Sequence, residues 1–222
     1  MKFYSKEELY GQVEGIRQQL YDTPPLTMPG YLMLLEYKLP QVKVFRTKLD
    51  SHKLAAMLLR GDPKQGSCSA ILLNLHWSEA SQRFSLTHEL IHYFLHTNVD
   101  VFKCNFSNNT ALEWQANEGA AELLVPYRSF LPSVANICSL LGQDRTAGIK
   151  QLAGRYQVSS TFIAHRLVSL AREIDLYLSG TPLEEIRPLS RGAQQRQGCT
   201  RLPRCMEGLS ASLDVWADEG GA

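Results

Sequence analysis

The chain has 222 residues, which suits one medium-sized domain, or a domain with an appendage, that buries about 70% of its unfolded surface. Its 23 lysine and arginine residues nearly balance its 22 acidic residues, so the net charge of +1 indicates neither bulk nucleic-acid binding nor an acidic partner. No run of about 18 apolar residues occurs and the N-terminus lacks the apolar segment of a signal peptide, so we expect no membrane span.

The cysteines are odd in number, scattered and without a CxxC pair. This usage fits a reducing compartment better than a disulfide framework, so we expect a cytoplasmic protein. Cys199 and Cys205 have no partner pair nearby, and we do not expect them to form a second metal site. The five residues are Cys68, Cys104, Cys138, Cys199 and Cys205.

The first part of the chain alternates between helical and strand patterns. Apolar residues at helical spacing predict an opening helix over Glu7–Tyr21, which ends before the turn sequence Thr23-Pro24-Pro25. A second short helix is predicted over Leu32–Tyr37. Three short strands follow and predict a small antiparallel sheet. Their predicted ranges are Val42–Arg46, Leu54–Arg60 and Cys68–Leu75.

The rest of the chain is predicted to be helical. We expect a long helix from about Ser78 to His96, then a loop over Asn105–Thr110, then a helix over Ala111–Leu124 that ends near Pro126. Residues 128–179 are predicted to form two or three helices. From residue 182 onward the composition shifts to Arg, Gln, Gly and Pro, which predicts a mobile tail.

These elements together predict an α+β fold that is mainly helical, with a small antiparallel three-stranded sheet and a C-terminal helical subdomain. We expect a main domain over residues 1–127, a helical subdomain with a helix-turn-helix pattern over 128–180, and a flexible tail over 181–222.

The stretch FSLTHELIHYFLH at 84–96 places the polar residues His88, Glu89 and His92 in an otherwise apolar helix. Burying them without partners would be costly, and a metal ion is one suitable partner. His88 and His92 are separated by about 40° of rotation and about 6 Å of rise on a helix, so both imidazoles can reach one Zn²⁺. Glu89 lies at the edge of the same face. This is the HExxH arrangement.

In zinc peptidases the residues of HExxH have distinct roles. Zinc lowers the pKa of a bound water, the glutamate takes the proton, and the same glutamate can then protonate the leaving amine. A surface helix with two solvated histidines would show the same spacing. Against that alternative, the motif lies in the most apolar helix of the chain, and a third ligand can be found downstream.

The third ligand is expected in the sequence EWQANEGAAELLVP, which offers Glu113, Glu118 and Glu122. On a helical wheel Glu113 and Asn117 share the face formed by alanine and leucine, whereas Glu118 and Glu122 lie about 140° and 180° away, on the side of Gln115. We therefore predict Glu113 as the third zinc ligand. Asn117 is predicted to orient a ligand histidine by accepting from its other ring nitrogen.

His96 continues the series of histidines one turn beyond His92. One straight helix cannot bring three such residues to a single ion, so we expect His96 to cap the helix or to hold a ligand histidine. The isolated histidines are expected to be surface residues or locally hydrogen-bonded: His52, His76 and His165.

With SQRFSLTHELIHYFLH followed by EWQANEGAAELLVP, the chain resembles the ImmA/IrrE family of metallopeptidases. The family pattern is an RxxFTLAHELGHxxLH helix followed by ExxANxFAAELLMP. The similarity extends over about residues 5–175, because LAGRYQVSSTFIAHRL also resembles the family's LAxxFxVSxxxxxxRL segment. Two departures stand near the motifs: Ile91 replaces a frequent glycine, and Gly119 replaces a frequent phenylalanine. We expect the second to loosen packing beside the site.

The resemblance implies a zincin-like, gluzincin-type metallopeptidase in residues 1–127, with His88, His92 and Glu113 as zinc ligands and Glu89 as general base. It also implies an endopeptidase, often encoded by phages and other mobile elements, that cleaves a helix-turn-helix transcriptional repressor and thereby releases its target genes. The residue that stabilises the oxyanion stays open among three candidates. They are Tyr93, Tyr127 and Arg128.

Gln151–Leu170 predicts a helix-turn-helix, with Val158 and Ser159 at the turn and Ser159 or Ser160 as the N-cap. Only His165 and Arg166 would be candidates for DNA contact, because the other residues of the second helix are mostly apolar. We therefore expect a packing or partner-docking subdomain and no direct DNA binding.

A function of a different class is also compatible with the sequence. The protein could be a non-catalytic regulator, antitoxin-like or an anti-repressor, that binds its partner through the C-terminal helices and uses zinc only for structure. The complete HExxH motif with Glu113 favours the enzyme, since a structural zinc site does not need Glu89.

Overall fold

The structure, a computed structural model, describes residues 3–21, 27–50, 54–62, 64, 66–97 and 110–197. Residues 105–109 of the predicted loop Asn105–Thr110 and three of the cysteines (Cys104, Cys199 and Cys205) lie outside these ranges. The first helices and the strands are α1 (Lys6–Leu20), α2 (Met28–Lys38), β1 (Val42–Thr47), β2 (Ala56–Leu59) and β3 (Ser69–Asn74). They are followed by α3 (Glu79–Leu95), α4 (Thr110–Leu124), α5 (Tyr127–Asn136), α6 (Cys138–Gln143), α7 (Arg145–Tyr156), α8 (Ser160–Ser169), α9 (Ala171–Leu178) and α10 (Arg191–Arg196).

The sheet is mixed and has the strand order β1-β3-β2. β2 and β3 are antiparallel, with Ala56 opposite Leu73, as expected. β1 runs parallel to β3, with Val42 opposite Ser69, so the expectation of a fully antiparallel sheet is wrong in this pairing. Alternation of apolar residues predicts that a strand exists but carries no information about its neighbour or its direction. The predicted α+β class, mainly helical with a three-stranded sheet, is confirmed.

α3 lies at the centre of the packing that positions the site. It contacts α4 on one side and strands β2 and β3 on another. Leu86, Leu90 and Ile91 of this helix are completely buried, as are Ile71 and Leu73 of β3. Burial on this scale holds the helix in place through its apolar face.

Local capping determines where α3 begins and ends. The Ser78 side chain accepts a hydrogen bond from the Ser81 backbone N–H at 3.2 Å, which satisfies one of the free donors of the first turn. At the other end the His96 backbone N–H bonds to the His92 carbonyl at 3.0 Å. The predicted range from Ser78 to His96 thus contains the helix and both of its caps.

The chain divides into two compact units. One comprises Met1–Tyr4 and Leu9–Leu124, and the other comprises Ser5–Glu8 together with the chain from Val125 onward. A compact unit need not fold by itself, so the predicted domains over 1–127 and 128–180 stay predictions.

The second unit contains more helices than the two or three predicted for 128–179. Five helices, α5 to α9, occupy residues 127–178, all of which the structure describes. One of the breaks has a local cause: the Asp144 side chain accepts from the Ala147 N–H at 3.0 Å and starts a new helix. Such caps compete with helix continuation and are easily missed when only apolar periodicity is read.

The predicted helix-turn-helix is present. α7 ends at Tyr156, and the capping residue Gln157 adopts a left-handed conformation with φ 53. Ser159 caps α8 by accepting from the Phe162 N–H at 3.0 Å. Arg166 is buried, and its Nε and Nη2 atoms donate to the Val125 carbonyl at 3.1 and 3.0 Å. This contact removes Arg166 from the two candidates for DNA contact and makes it a packing residue of the unit.

The first part of the predicted mobile tail is packed. Ile186 is buried, and the Leu189 N–H donates to Oε1 of the buried Glu173 at 2.9 Å. α10 follows, capped by Ser190. Residues 182–197 thus contain buried side chains and hydrogen-bonded backbone despite their polar composition, and the flexible tail over 181–222 stays a prediction. Residues 198–222 lie outside the described ranges.

No helix within the described residues is both long enough and apolar enough to cross a membrane.

Candidate metal centre

α3 and α4 together form a cluster of potential metal ligands. The Nε2 atoms of His88 and His92 lie 3.1 Å apart on one face of α3. Glu113 of α4 faces both, with Oε2 at 3.3 Å from His88 Nε2 and Oε1 at 3.4 Å from His92 Nε2. One ligand atom from each residue lies within 4.8 Å of the others. This group could hold a metal ion.

The donor set itself fits a divalent cation of the zinc type. Two imidazole nitrogens and one carboxylate are a common protein ligand set of catalytic zinc, which keeps a further position open. The cluster is also only partly exposed, with side-chain exposures of 12%, 11% and 23% for His88, His92 and Glu113. Ligands held together in such a setting need little rearrangement to bind an ion.

Asn117 supports His88 from α4. Its Oδ1 lies 2.9 Å from His88 Nδ1. An amide oxygen only accepts, so Nδ1 carries the proton and donates. In the neutral imidazole, the form that binds a metal, the lone pair of His88 is then on Nε2, the atom that faces Glu113. Asn117 therefore stands where the sequence predicted it, against the outer nitrogen of a candidate ligand histidine.

His96 does not join the ligand cluster. Its ring lies against that of His92, with the two Nδ1 atoms 2.8 Å apart. Its other nitrogen, Nε2, lies 3.3 Å from Gln115 Oε1. His96 also caps α3 through its backbone N–H. Both roles expected for this residue, capping and holding a candidate ligand, correspond to contacts in the structure.

Glu89 is buried on α3 with 4% exposure and is not one of the clustered ligand atoms. Burial raises the pKa of its carboxyl group, while the neighbouring His88 and His92 act in the opposite direction. A hydrogen bond from the backbone of Leu58, on the adjacent strand β2, also favours the ionised form. Glu89 is therefore an acid with a raised pKa beside the ligand cluster, which suits a group that takes and returns a proton.

Glu113 is ionised in this setting. Burial alone would raise its pKa, but hydrogen bonds from His88 and His92 outweigh burial and lower the pKa to about 2. For His88 burial is the largest influence and lowers the pKa, but the hydrogen bond to Glu113 and the negative charges of Glu89 and Glu113 together outweigh it, so the pKa is raised. A metal cation bound here would take the place of the protons between the two imidazoles and the ionised carboxylate of Glu113.

Gln115 was missed in the sequence. The wheel placed it on the outer face of α4 together with Glu118 and Glu122, yet Gln115 is only 1% exposed. That face is covered: Glu118 accepts a hydrogen bond from the Tyr10 hydroxyl, and Glu122 is buried. An outer face predicted from polar residues is reliable only when one side of the helix meets solvent.

Arg60 is a second residue that sequence reasoning did not single out. Its Nη2 donates to the His92 carbonyl at 2.5 Å and to the Tyr93 carbonyl at 3.2 Å, and its guanidinium lies 5.7 Å from the centroid of the Tyr93 ring. These carbonyls belong to the last turn of α3, where the His92 carbonyl also accepts the His96 backbone N–H, so Arg60 adds a charged donor at the end of the helix. Only the position of β2 beside α3 brings Arg60 there.

The remaining predicted residues lie elsewhere. His76 follows β3 and is exposed, with its backbone N–H on Asn74 Oδ1 at 3.1 Å, and His165 is exposed on α8. His52 is outside the described residues.

A family model for Peptidase M78, described as the IrrE N-terminal-like domain, matches residues 39–168, which is more than half of the chain. The chain belongs to this family. The predicted ImmA/IrrE membership is thus confirmed, and the matched M78 segment contains the sheet, α3, α4 and all but the last residues of the helix-turn-helix.

Other comparisons are more distant. A search of curated proteins found no match. Among solved structures, a Mycobacterium tuberculosis transcriptional regulator is similar at a TM-score of 0.49 and 17% sequence identity. The alignment covers 73% of this M78 chain but 47% of the regulator, so the chain spans about half the length of that protein.

Proposed function

We propose that the protein is a zinc-dependent endopeptidase. The observation that carries the proposal is the convergence of His88, His92 and Glu113 beside a buried Glu89. A purely structural site needs the ligands but has no use for a buried carboxyl group with a raised pKa next to them. Membership of a peptidase family supports the same reaction class.

The three clustered residues would hold the ion. When bound, zinc would supply Lewis acidity to a water molecule and to the carbonyl oxygen of the scissile peptide. His88 and His92 would bind through Nε2, and Glu113 through its carboxylate. Asn117 keeps the His88 proton on Nδ1 and so keeps Nε2 free for this role.

Glu89 would carry the proton through the reaction. Its carboxylate takes a proton from water as the water oxygen attacks the peptide carbonyl carbon. The protonated carboxyl then gives that proton to the amine nitrogen as the carbon–nitrogen bond breaks. Burial favours the protonated form of Glu89 and thus makes the intermediate state, in which it holds the proton, less costly.

For the substrate we propose a folded helix-turn-helix transcriptional repressor, whose cleavage releases mobile-element or stress-response genes. The support is the resemblance of the two motifs to the ImmA/IrrE pattern. We also propose a cytoplasmic location, where such a regulator would be found, and the scattered cysteines support it. The oxyanion-stabilising residue stays open among Tyr93, Tyr127 and Arg128.

The test is incubation of the purified, zinc-loaded protein with the helix-turn-helix regulator encoded beside its gene, followed by mass spectrometry of the products. We expect discrete fragments that are absent with Glu89→Gln. Stable binding of the regulator without cleavage would instead support the non-catalytic regulator with a structural zinc, and would overturn the enzymatic proposal.

A further inference from the structure

A buried row of three polar side chains leads away from the candidate metal ligands. His92 Nδ1 lies 2.8 Å from His96 Nδ1, and His96 Nε2 lies 3.3 Å from Gln115 Oε1. The exposures of His92, His96 and Gln115 are 9%, 5% and 1%. Water therefore has little access to replace any member of the row.

The chemistry of the last member determines the direction of every hydrogen bond. The side-chain oxygen of Gln115 can only accept, so His96 must carry its proton on Nε2. His96 Nδ1 then has a lone pair and accepts from His92 Nδ1–H. A neutral His92, the form that binds a metal, is then left with its lone pair on Nε2, the atom 3.4 Å from Glu113 Oε1.

We propose that Gln115 is a positioning residue which, through His96, holds His92 in the tautomer that presents Nε2 to the metal. This inference rests on one part of the proposed function, the binding of a zinc ion by the clustered residues. It adds a residue that the HExxH motif and the third ligand do not include.

The two ligand histidines of α3 are thereby oriented from α4 in different ways. Asn117 reaches His88 directly and is exposed. His92 lies one turn farther along α3, and Gln115 reaches it only through His96, whose ring centroid is 4.8 Å from that of His92. The exposed contact can be partly replaced by water, whereas the buried one cannot. We therefore expect the larger effect on metal affinity from the loss of Gln115.

The first measurement reads the proton positions directly. In the unsubstituted zinc-loaded protein with ¹⁵N-labelled histidine, long-range ¹⁵N–¹H correlation spectra distinguish the two imidazole tautomers. We expect His96 to be protonated on Nε2 and His92 on Nδ1. A proton on His96 Nδ1 would overturn the proposal, whatever any variant does.

The second measurement is zinc affinity by competition with a chromophoric chelator. Gln115→Met removes the acceptor at similar volume and should weaken zinc binding by about 10- to 100-fold, the usual effect of losing a group that orients a ligand. Glu118→Met is the matched control on the same helix, because it loses a hydrogen bond to Tyr10 of α1. Its affinity should equal that of the unsubstituted protein. Equal affinity for Gln115→Met would contradict the proposal.

Substitutions of His96 test whether Gln115 acts on His92 through the hydrogen bonds of His96, which we call the relay, or only through general packing. His96→Asn places an amide oxygen at about the position of Nδ1 and should keep the zinc affinity close to that of the unsubstituted protein. His96→Phe keeps a ring but has no acceptor, so its zinc affinity should fall. In the His96→Asn background, adding Gln115→Met should change the affinity no further. A full additional loss there would show that Gln115 acts on the fold alone and would overturn the relay.

None of these measurements uses a substrate. A protein that binds zinc with the predicted tautomers but cleaves nothing would contradict the peptidase proposal and leave the relay intact. Cleavage by a protein in which His96 is protonated on Nδ1 would contradict the relay and leave the peptidase proposal intact.

Discussion

The Ile91 side chain on α3 lies against Gly119 on α4. A Cβ atom placed at Gly119 would approach Ile91 Cγ2 to 3.1 Å and Cγ1 to 3.3 Å. Both residues are completely or nearly buried, so the isoleucine fills the space that a side chain at 119 would otherwise occupy. The expectation that Gly119 loosens the packing is wrong. At this contact the larger side chain therefore stands on α3 and the glycine on α4.

This contact predicts strong coupling between the two positions. Gly119→Phe should overpack the helix pair and lower the free energy of unfolding by about 1–3 kcal/mol or more. Ile91→Gly should lower it by at least about 2–5 kcal/mol through the cavity it leaves. The double variant should recover part of both losses, with a coupling of about 0.5–3 kcal/mol, measured by urea denaturation. Additive losses would show that the two residues do not share the space.

Zinc titration of glutamate variants on α4 tests the third ligand. Glu113→Ala should lose most of the zinc affinity because its carboxylate faces both histidines. Glu118→Ala and Glu122→Ala should retain the metal, since these residues contact Tyr10 and Arg17 of α1. Asn117→Ala should fall between, with a loss of about 10- to 100-fold. Loss of zinc in Glu118→Ala with retention in Glu113→Ala would reverse the assignment.

Variants of the HExxH residues separate metal binding from proton transfer. Glu89→Gln should bind zinc nearly as well as the unsubstituted protein and show no peptide cleavage, because it removes the base and no ligand. His88→Ala and His92→Ala should lose metal and activity together. Metal content by atomic absorption and cleavage of the regulator are measured on the same samples. Cleavage by Glu89→Gln would refute its catalytic role.

Metal removal should lower the stability of the fold around α3 and α4. A ligand that binds only the folded state at 100 times its Kd adds about 2.7 kcal/mol to the free energy of unfolding. We therefore expect zinc to raise the thermal midpoint and an excess of chelator to reverse the change, as followed by circular dichroism. His88→Ala is the control and should show no response to either. An equal response in that variant would indicate binding at another site.

Arg60 is predicted to stabilise the end of α3. Arg60→Met should lower the free energy of unfolding by about 1.5–3 kcal/mol, because it removes charged donors from the His92 and Tyr93 carbonyls. Arg187→Met is the control: the Arg187 side chain is exposed and paired with the exposed Glu7 at 3.1 Å, a contact worth about 0–1 kcal/mol. Equal effects of the two changes in chemical denaturation would contradict the capping role of Arg60.

Much of the fold was accessible from local patterns. α3 was predicted to within its capping residues, and the helix-turn-helix was predicted with Ser159 as one of two alternative caps, because apolar spacing and capping side chains act over a few residues. The direction of β1, the division of 127–178 into five helices and the packing of Ile186 were not predicted. Each of these depends on contacts with residues distant in the chain or on a local cap that periodicity does not register.

The sequence by itself determined that His88 and His92 share a face of one helix with Glu89 at its edge, because helical geometry follows from the spacing alone. It also determined the family, through the two motifs. Only the tertiary structure decided that Glu113 meets both histidines, that Gln115 and His96 form a buried row behind His92, and that Ile91 fills the space at Gly119. These relationships depend on the rotation and separation of α3 and α4, which are set by packing across the helix pair and by the cover that α1 and the sheet provide.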